Sequence, residues 1–384
     1  MRICLVSSSF YPATFYGGPI SATWDLSRKL AEKGNEIYVS TTNANGNSKL
    51  AIESNKYLQK ENNVFVKYYN EQIINKFSLA FILGIWSDIK KSDVVYIQYL
   101  FHYTVLVSVL VSFILKKKVV VSPRGSLSEW GLNYKHKWIK KIWLNVFIRP
   151  FVVNITWQAC SYLEVEDIKN IFKNSEVVEI NDGIDFDSFQ NIEIISKLEL
   201  VNQFTNQNFK KVTEVFFSMG RLHEIKGFDV IIDAFHLFVK ESPNAKLLIA
   251  GGDDGYESFL QQKIEKLDLL DSVFLIGAVN HKNKCKLLRN CSAFTLASKF
   301  ESFGIVIAEA LASGTPVILS NKTPWKDIEK NKCGIFTENN KNSFYNSLCN
   351  IKEKKFDSEV IKGFVKSNFD WNIIVNRFIK IIKN

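Results

Sequence analysis

Short apolar runs alternate with helical stretches along almost the whole chain, and that alternation leaves few folds open. In the first half, apolar runs at residues 3–7, 36–41, 94–98 and 119–122 are interleaved with helical stretches such as residues 20–33. The second half repeats the rhythm at residues 215–219, 247–250, 273–276, 293–296 and 316–319. Strands that alternate with helices in this way predict βαβ units on a parallel sheet. A chain of 384 residues exceeds one ordinary core, so the rhythm predicts two doubly wound α/β domains.

The expected boundary lies at residues 180–189, INDGIDFDSF, after which a polar stretch poor in core residues runs to about residue 211. That places one domain at residues 1–185 and a second at 186–370, with residues 371–384 left as a final helix. A hydrophobic content of 46% against 23% charge excludes a disordered chain. The six cysteines are scattered, without CxxC pairs or histidines at metal-ligand spacing, so free thiols and no zinc are expected. At the N-terminus, MRICLVSSS reads as a strand and a turn rather than a signal peptide, which predicts a cytoplasmic protein. The apolar run 105–115 falls short of the ~20 residues that span a bilayer and reads as a buried helix.

Net charge is +10, and residues 112–150 carry nine lysines and arginines against Glu129 alone. Such a patch attracts nucleic acid, anionic lipid or a phosphorylated substrate, and charge by itself does not choose. Within it, residues 134–149 read as one helix with Trp138, Ile139, Ile142, Trp143, Val146 and Phe147 on one face and Lys137, Lys140 and Lys141 on the other. Two readings stand: a face for an anionic membrane, or an ordinary amphipathic helix packed on the sheet with solvated lysines.

The segment ESFGIVIAEALASGTPV, residues 301–317, sets two carboxylates on either side of a glycine that opens a helix. Gly304 lets backbone approach a ligand, the amides that follow suit a phosphate, and Glu309 lies about 1.5 turns further on, within reach of a ribose. Gly314 and Pro316 then end the helix before the next strand. Upstream, GRLHEIKG places Arg221 and Lys226 after a strand on a loop closed by Gly227, a planar fork and a point charge suited to a diphosphate. Gly17 and Gly18, between the first strand and the helix at Pro19, offer further amides to phosphate.

Residues 301–317 resemble the signature of the family 4 glycosyltransferases of the GT-B fold: a glutamate, any residue, Phe-Gly, four residues, Glu-Ala, then a small-Gly-x-Pro-Val turn. Gly220–Gly227 resembles that family's Gly-Arg-Leu-x-x-x-Lys-Gly, and Gly17–Pro19 its glycine loop, in the same order along the chain. The resemblance implies two Rossmann-like doubly wound domains facing a central cleft, an N-terminal acceptor domain, a C-terminal nucleotide-sugar domain, and a last helix crossing back to the first. By the same resemblance the activity is that of a retaining, metal-independent hexosyltransferase without a cofactor. It would use a UDP- or GDP-sugar and a glycan or lipid-linked glycan acceptor, in surface polysaccharide or lipopolysaccharide assembly on the cytoplasmic face of the inner membrane.

Its residues would be Arg221, Lys226 and Glu301 at the reacting centre, and Gly17, Gly18, Arg124, Phe303, Gly304, Ile305 and Glu309 in substrate binding. No Asp-x-Asp stands where a metal-dependent transferase needs one. Two positions depart from the family pattern. Arg124, in SPRGSL, takes the place where many relatives carry a sugar-contacting histidine, and an arginine is no general base near neutral pH. Asn181 and Asp182 stand where Pro and Asn are usual. Alternatives remain: a basic nucleic-acid or membrane-binding protein without transferase activity, or an NAD-dependent oxidoreductase, for which no GxGxxG follows a strand.

Overall fold

Each apolar run of the alternation becomes a strand in the computed structural model, which describes residues 1–13, 17–73 and 77–383. Five further strands complete two main sheets: Tyr57–Glu61, Val64–Tyr69, Ile155–Ala159, Glu176–Glu179 and Gly334–Thr337. The chain divides into two units, Met1–Gly183 with Trp371–Asn384, and Ile184–Asp370.

In the first unit the strands are β1 (Arg2–Val6), β2 (Glu36–Thr42), β3 (Tyr57–Glu61), β4 (Val64–Tyr69), β5 (Val94–Gln98), β6 (Lys118–Ser122), β7 (Ile155–Ala159) and β8 (Glu176–Glu179). They lie in the order β8-β7-β6-β5-β1-β2-β4-β3, all parallel except the edge pair β3 and β4. Both faces are covered, as an almost wholly parallel sheet requires. Val119 and Val121 of β6 face one core with Trp157 and Ile97, while Val120 faces the other with Ile3, Tyr96 and Phe378, the two-residue period of a strand. The last helix, Trp371–Lys383, buries Trp371, Ile374, Val375 and Phe378 in that second core. Gly183 admits it closely, because a Cβ there would lie 2.3 Å from the Trp371 ring.

The second unit holds β9 (Val215–Met219), β10 (Lys246–Ala250), β11 (Val273–Leu275), β12 (Ala293–Leu296), β13 (Val317–Ser320) and β14 (Gly334–Thr337). Their order is β11-β10-β9-β12-β13-β14 and every pairing is parallel. The helix Phe228–Glu241 fills its core with Phe228, Ile231, Ile232, Phe235 and Phe238. The polar stretch after the boundary is not a bare linker, since Ser196 caps a helix, Lys197–Thr205, through the amide of Glu199.

Two expectations for the basic region need correction. Residues 134–149 do not form one helix, because Lys135 and His136 take positive φ angles of 48° and 55°. An α-helix, Lys137–Ile142, runs instead into a π-helical turn, Trp143–Ile148, and a 3₁₀ helix, Arg149–Asn154. Leu144, Ile148 and Val152 are the side chains this segment buries, whereas Trp138, Ile139, Ile142 and Val146 are more than half exposed, so most of the expected apolar face meets water. Helix Tyr103–Ile114 is likewise buried on one side only, with Phe113 and Ile114 more than half exposed.

Candidate functional site

Strand order places the site in the second unit before any side chain is considered. From β9 the order runs β10-β11 one way and β12-β13-β14 the other, so the sheet reverses between β9 and β12. Ligands of open parallel sheets bind beyond the carboxyl ends of the strands at such a reversal. The two loops leaving these ends are Gly220–Gly227 and residues 297–304, the segments singled out in the sequence. They touch: the Lys299 amide donates to the Ile225 carbonyl at 2.8 Å, and a Cβ on Gly227 would lie 2.0 Å from the Ala297 oxygen.

That contact brings Lys226 to Glu301, with Nζ 2.5 Å from Oε1, where the side chains keep 18% and 10% of their surface exposed. Ser298 also donates to Glu301 Oε1, at 2.8 Å. Arg221 lies further out, half exposed, and pairs with Asp254. Gly304, at φ 82°, caps helix Ile305–Ala312, whose first amides lack intrahelical acceptors. On that helix Glu309 is held by a residue the sequence had not suggested. Lys284, on helix His281–Asn290, donates to Glu309 Oε1 at 2.5 Å and lies over the Phe189 ring. Only a fold places residues of two separate helices together, so no local pattern marks Lys284.

Phe303 is placed otherwise. Its ring is buried against Trp325 and Phe369, and its carbonyl accepts from Trp325 Nε1 at 2.6 Å. Ile305 is the first residue of the helix and half-buried. Asp185-Phe186-Asp187 spells Asp-x-Asp, but its two carboxylates are exposed on a 3₁₀ turn. Among the described residues no three His, Cys, Asp or Glu side chains gather as a metal site would require.

In the first unit the sheet reverses between β1 and β5. Gly17, with φ 75° and, its chain neighbours aside, no atom of the described residues within 4 Å of where a Cβ would stand, caps helix Gly18–Glu32 after β1. Arg124 follows β6 in a left-handed conformation, φ 54°, and its side chain is 2% exposed. The guanidinium is bound to Asp182, to Gln98 Oε1 at 3.0 Å and to Cys160 Sγ at 3.2 Å. Burial is the largest influence and opposes its charge, but the Asp182 carboxylate together with Cys160 and Tyr96 raises its pKa well above the ordinary arginine value. Burial drives the Cys160 thiol upward, and Glu164 below it is raised by burial although it accepts from the Gly125 and Cys160 amides. His102 is pushed down to about 4 by burial, and its ring caps helix Tyr103–Ile114.

Comparison with known proteins bears on the fold and the family. Residues 202–355 match the family model of glycosyl transferases group 1. Over that stretch the chain is similar to the group 1 glycosyltransferases. Mannosylfructose-phosphate synthase of Agrobacterium fabrum is 30% identical over 129 residues, 32% of this chain and 28% of that protein. Alpha-monoglucosyldiacylglycerol synthase of Streptococcus pneumoniae is 28% identical over 183 residues, 47% of this chain and 41% of that protein. The chain thus spans less than half the length of either relative. Among solved structures, Anabaena Alr3699/HepE in complex with UDP and glucose superposes with a TM-score of 0.75 at 18% identity, covering 100% of this chain and 99% of that one. The expected GT-B fold and the family 4 resemblance are borne out.

Because Arg124 and Asp182 are buried together, removing either charge strands the other, at a cost of about 3–5 kcal/mol. In urea denaturation Arg124→Met and Asp182→Asn should each lower stability by that order, and the double variant by clearly less than the sum. Additive losses would show that the pair does not couple.

Proposed function

We propose that the chain is a retaining glycosyltransferase that moves a hexosyl residue from a UDP- or GDP-sugar to an acceptor hydroxyl in surface polysaccharide or lipopolysaccharide assembly. The observation that carries this reading is the grouping of Arg221, Lys226, Glu301, the Gly304 helix opening and Glu309 around one reversal point. The group 1 domain match and the UDP bound by the structurally similar Anabaena protein support it.

In this reading Glu309 accepts hydrogen bonds from the donor ribose, and the amides following Phe303 and Gly304 face the diphosphate. Arg221 and Lys226 stabilise the charge that develops on the departing diphosphate. Donor phosphate competes with Glu301 for Lys226, which leaves the Glu301 carboxylate to the sugar hydroxyls. Gly17 and Gly18 open a second helix to phosphate in the first unit, and Arg124 acts through the loop it anchors, since its guanidinium is enclosed.

The acceptor is a glycan or a lipid-linked glycan, and the Streptococcus relative is named for a glucosyldiacylglycerol. Among the described residues no helix is long and apolar enough to cross a membrane. Peripheral docking on an anionic membrane is the reading that suits helix Lys137–Ile142, where Trp138 and Ile139 are exposed beside Lys137 and Lys141.

Glu309→Ala and Lys226→Ala should each weaken donor binding by about 1.5–3 kcal/mol, the loss of a hydrogen bond to a charged group. Thermal shift against UDP-, GDP- and ADP-sugars identifies the donor, and calorimetry measures the loss. Unchanged affinity in both variants overturns the site.

Transfer should persist in excess EDTA, because cations and helix amides, not a metal, neutralise the diphosphate. Activity lost in chelator and restored by magnesium or manganese would contradict that role for Arg221 and Lys226.

Docking is tested by Lys137→Glu with Lys141→Glu. Lys140 stays, because its ammonium holds the Gly131 and Tyr134 carbonyls, each at 2.6 Å. Each lysine near an anionic surface contributes about 1 kcal/mol, screened by salt. The double variant should lose sedimentation with phosphatidylglycerol vesicles and keep donor binding; equal sedimentation of both proteins would leave this helix an ordinary surface one.

A further inference from the structure

Beneath the helical layer of the first unit, at the amino ends of β6 and β7, lies a cavity of about 330 Å³ that the donor reading does not use. It is lined by Lys118 and Val119, which open β6, whereas Arg124 follows the other end of that strand, some four residues or about 13 Å away. Apart from Asn154 and the lysines, its walls are apolar: Val109 and Phe113 from helix Tyr103–Ile114, Phe151 from the 3₁₀ helix, and Val119 and Ile155 from the sheet. Phe113 and Phe151 meet edge to face, with centroids 5.2 Å apart.

One side is strongly basic. Lys116, Lys117 and Lys118 all line the cavity and, among the described residues, no carboxylate does. Lys117 gives one hydrogen bond to the Ser92 carbonyl and Lys118 one to the Ile381 carbonyl. An ammonium has three donors, so both retain capacity for an anion, and Lys116 is exposed on the turn after the helix. Carbonyls at the end of that helix would repel an anion, but those of Val111, Ser112 and Phe113 already accept from Leu115, Lys117 and Lys116. Outside the mouth the surface stays apolar, with Phe113 52%, Ile114 61% and Val153 76% exposed.

We infer that this cavity binds one anionic phospholipid molecule, its phosphate against Lys116–Lys118 and its chains leaving over Phe113, Ile114 and Val153. At about 330 Å³ the cavity is near the lower end of the ~300–1,000 Å³ of small-ligand pockets, which suits the phosphate-proximal part of a lipid and not the whole. Charge selects an anion over a zwitterion, and the aromatic walls select an amphiphile over free phosphate. The site extends the membrane reading of the neighbouring helix without depending on it, because the ligand is tested as a monomer.

The experiment is calorimetric titration of the whole chain with dihexanoyl-phosphatidylglycerol below its micelle concentration, beside dihexanoyl-phosphatidylcholine and inorganic phosphate. We expect at least tenfold tighter binding of the anionic lipid than of either control. Lys116→Glu and Phe113→Ser, both at exposed positions, should each weaken it at least tenfold while UDP-sugar binding is unchanged. Equal binding of the two lipids, phosphate binding as tight as the anionic lipid, or affinity unaltered in both variants overturns the site. So does a concentration-dependent dimer that Phe113→Ser abolishes, which would assign this surface to a second copy of the chain.

Discussion

Arg221 and Lys226 stand where they do because glycines let three strands send their loops into contact. β9 lies between β10 and β12. On one side Gly227, at φ 66°, sits so close to the loop after β12 that a Cβ would fall 2.0 Å from the Ala297 oxygen. On the other, a Cβ on Gly251 would fall 1.8 Å from the Gly220 oxygen. A side chain at either position forces the loop after β9 outward and lengthens the reach from Lys226 to Glu301. The glycines of this loop therefore serve contact between backbones first, and openness to a ligand second.

With the loops fixed, electrostatics arranges the rest. Lys226 with Glu301 and Lys284 with Glu309 are two cation–carboxylate pairs in which no side chain exceeds 18% exposure. Unit charges about 4 Å apart near a protein surface attract by roughly 4 kcal/mol at an effective dielectric of ~20, so each carboxylate is oriented before a ligand arrives. In the donor reading proposed above, a diphosphate, which brings more negative charge than one carboxylate, competes for the lysine. Arg221 differs: its side chain is 51% exposed and its partner Asp254 33%. A surface pair of that kind contributes about 0–1 kcal/mol and exchanges easily.

The legible parts of the chain were those whose physics is local. Short apolar runs marked nine of the strands, and Gly304, Glu309 and Gly314 marked one helix with its ends. Strands such as Ile155–Ala159, with Thr156 and Gln158 inside it, escaped because polar residues buried within a sheet break the apolar run. Lys284 escaped because its meaning lies in a contact with another helix. In residues 137–148 the amphipathic pattern was read, but a pattern does not say which face meets the protein. Leu144 and Ile148 pack inward, and the tryptophan-bearing side of Lys137–Ile142 does not.

Arg124 and Asp182 carry that argument furthest. Each looked like an isolated departure from a family pattern, 58 residues apart in sequence, and the fold joins them in one buried ion pair. A buried pair stabilises only if its remaining polar atoms find partners. Here Gln98 and Cys160 complete the arginine's contacts, although Gln98 Nε2 itself is left without one. Two departures that compensate each other preserve the loop after β6 where one alone would disrupt it. An arginine in place of a histidine is thus answered in charge at residue 182, and its guanidinium is enclosed rather than exposed.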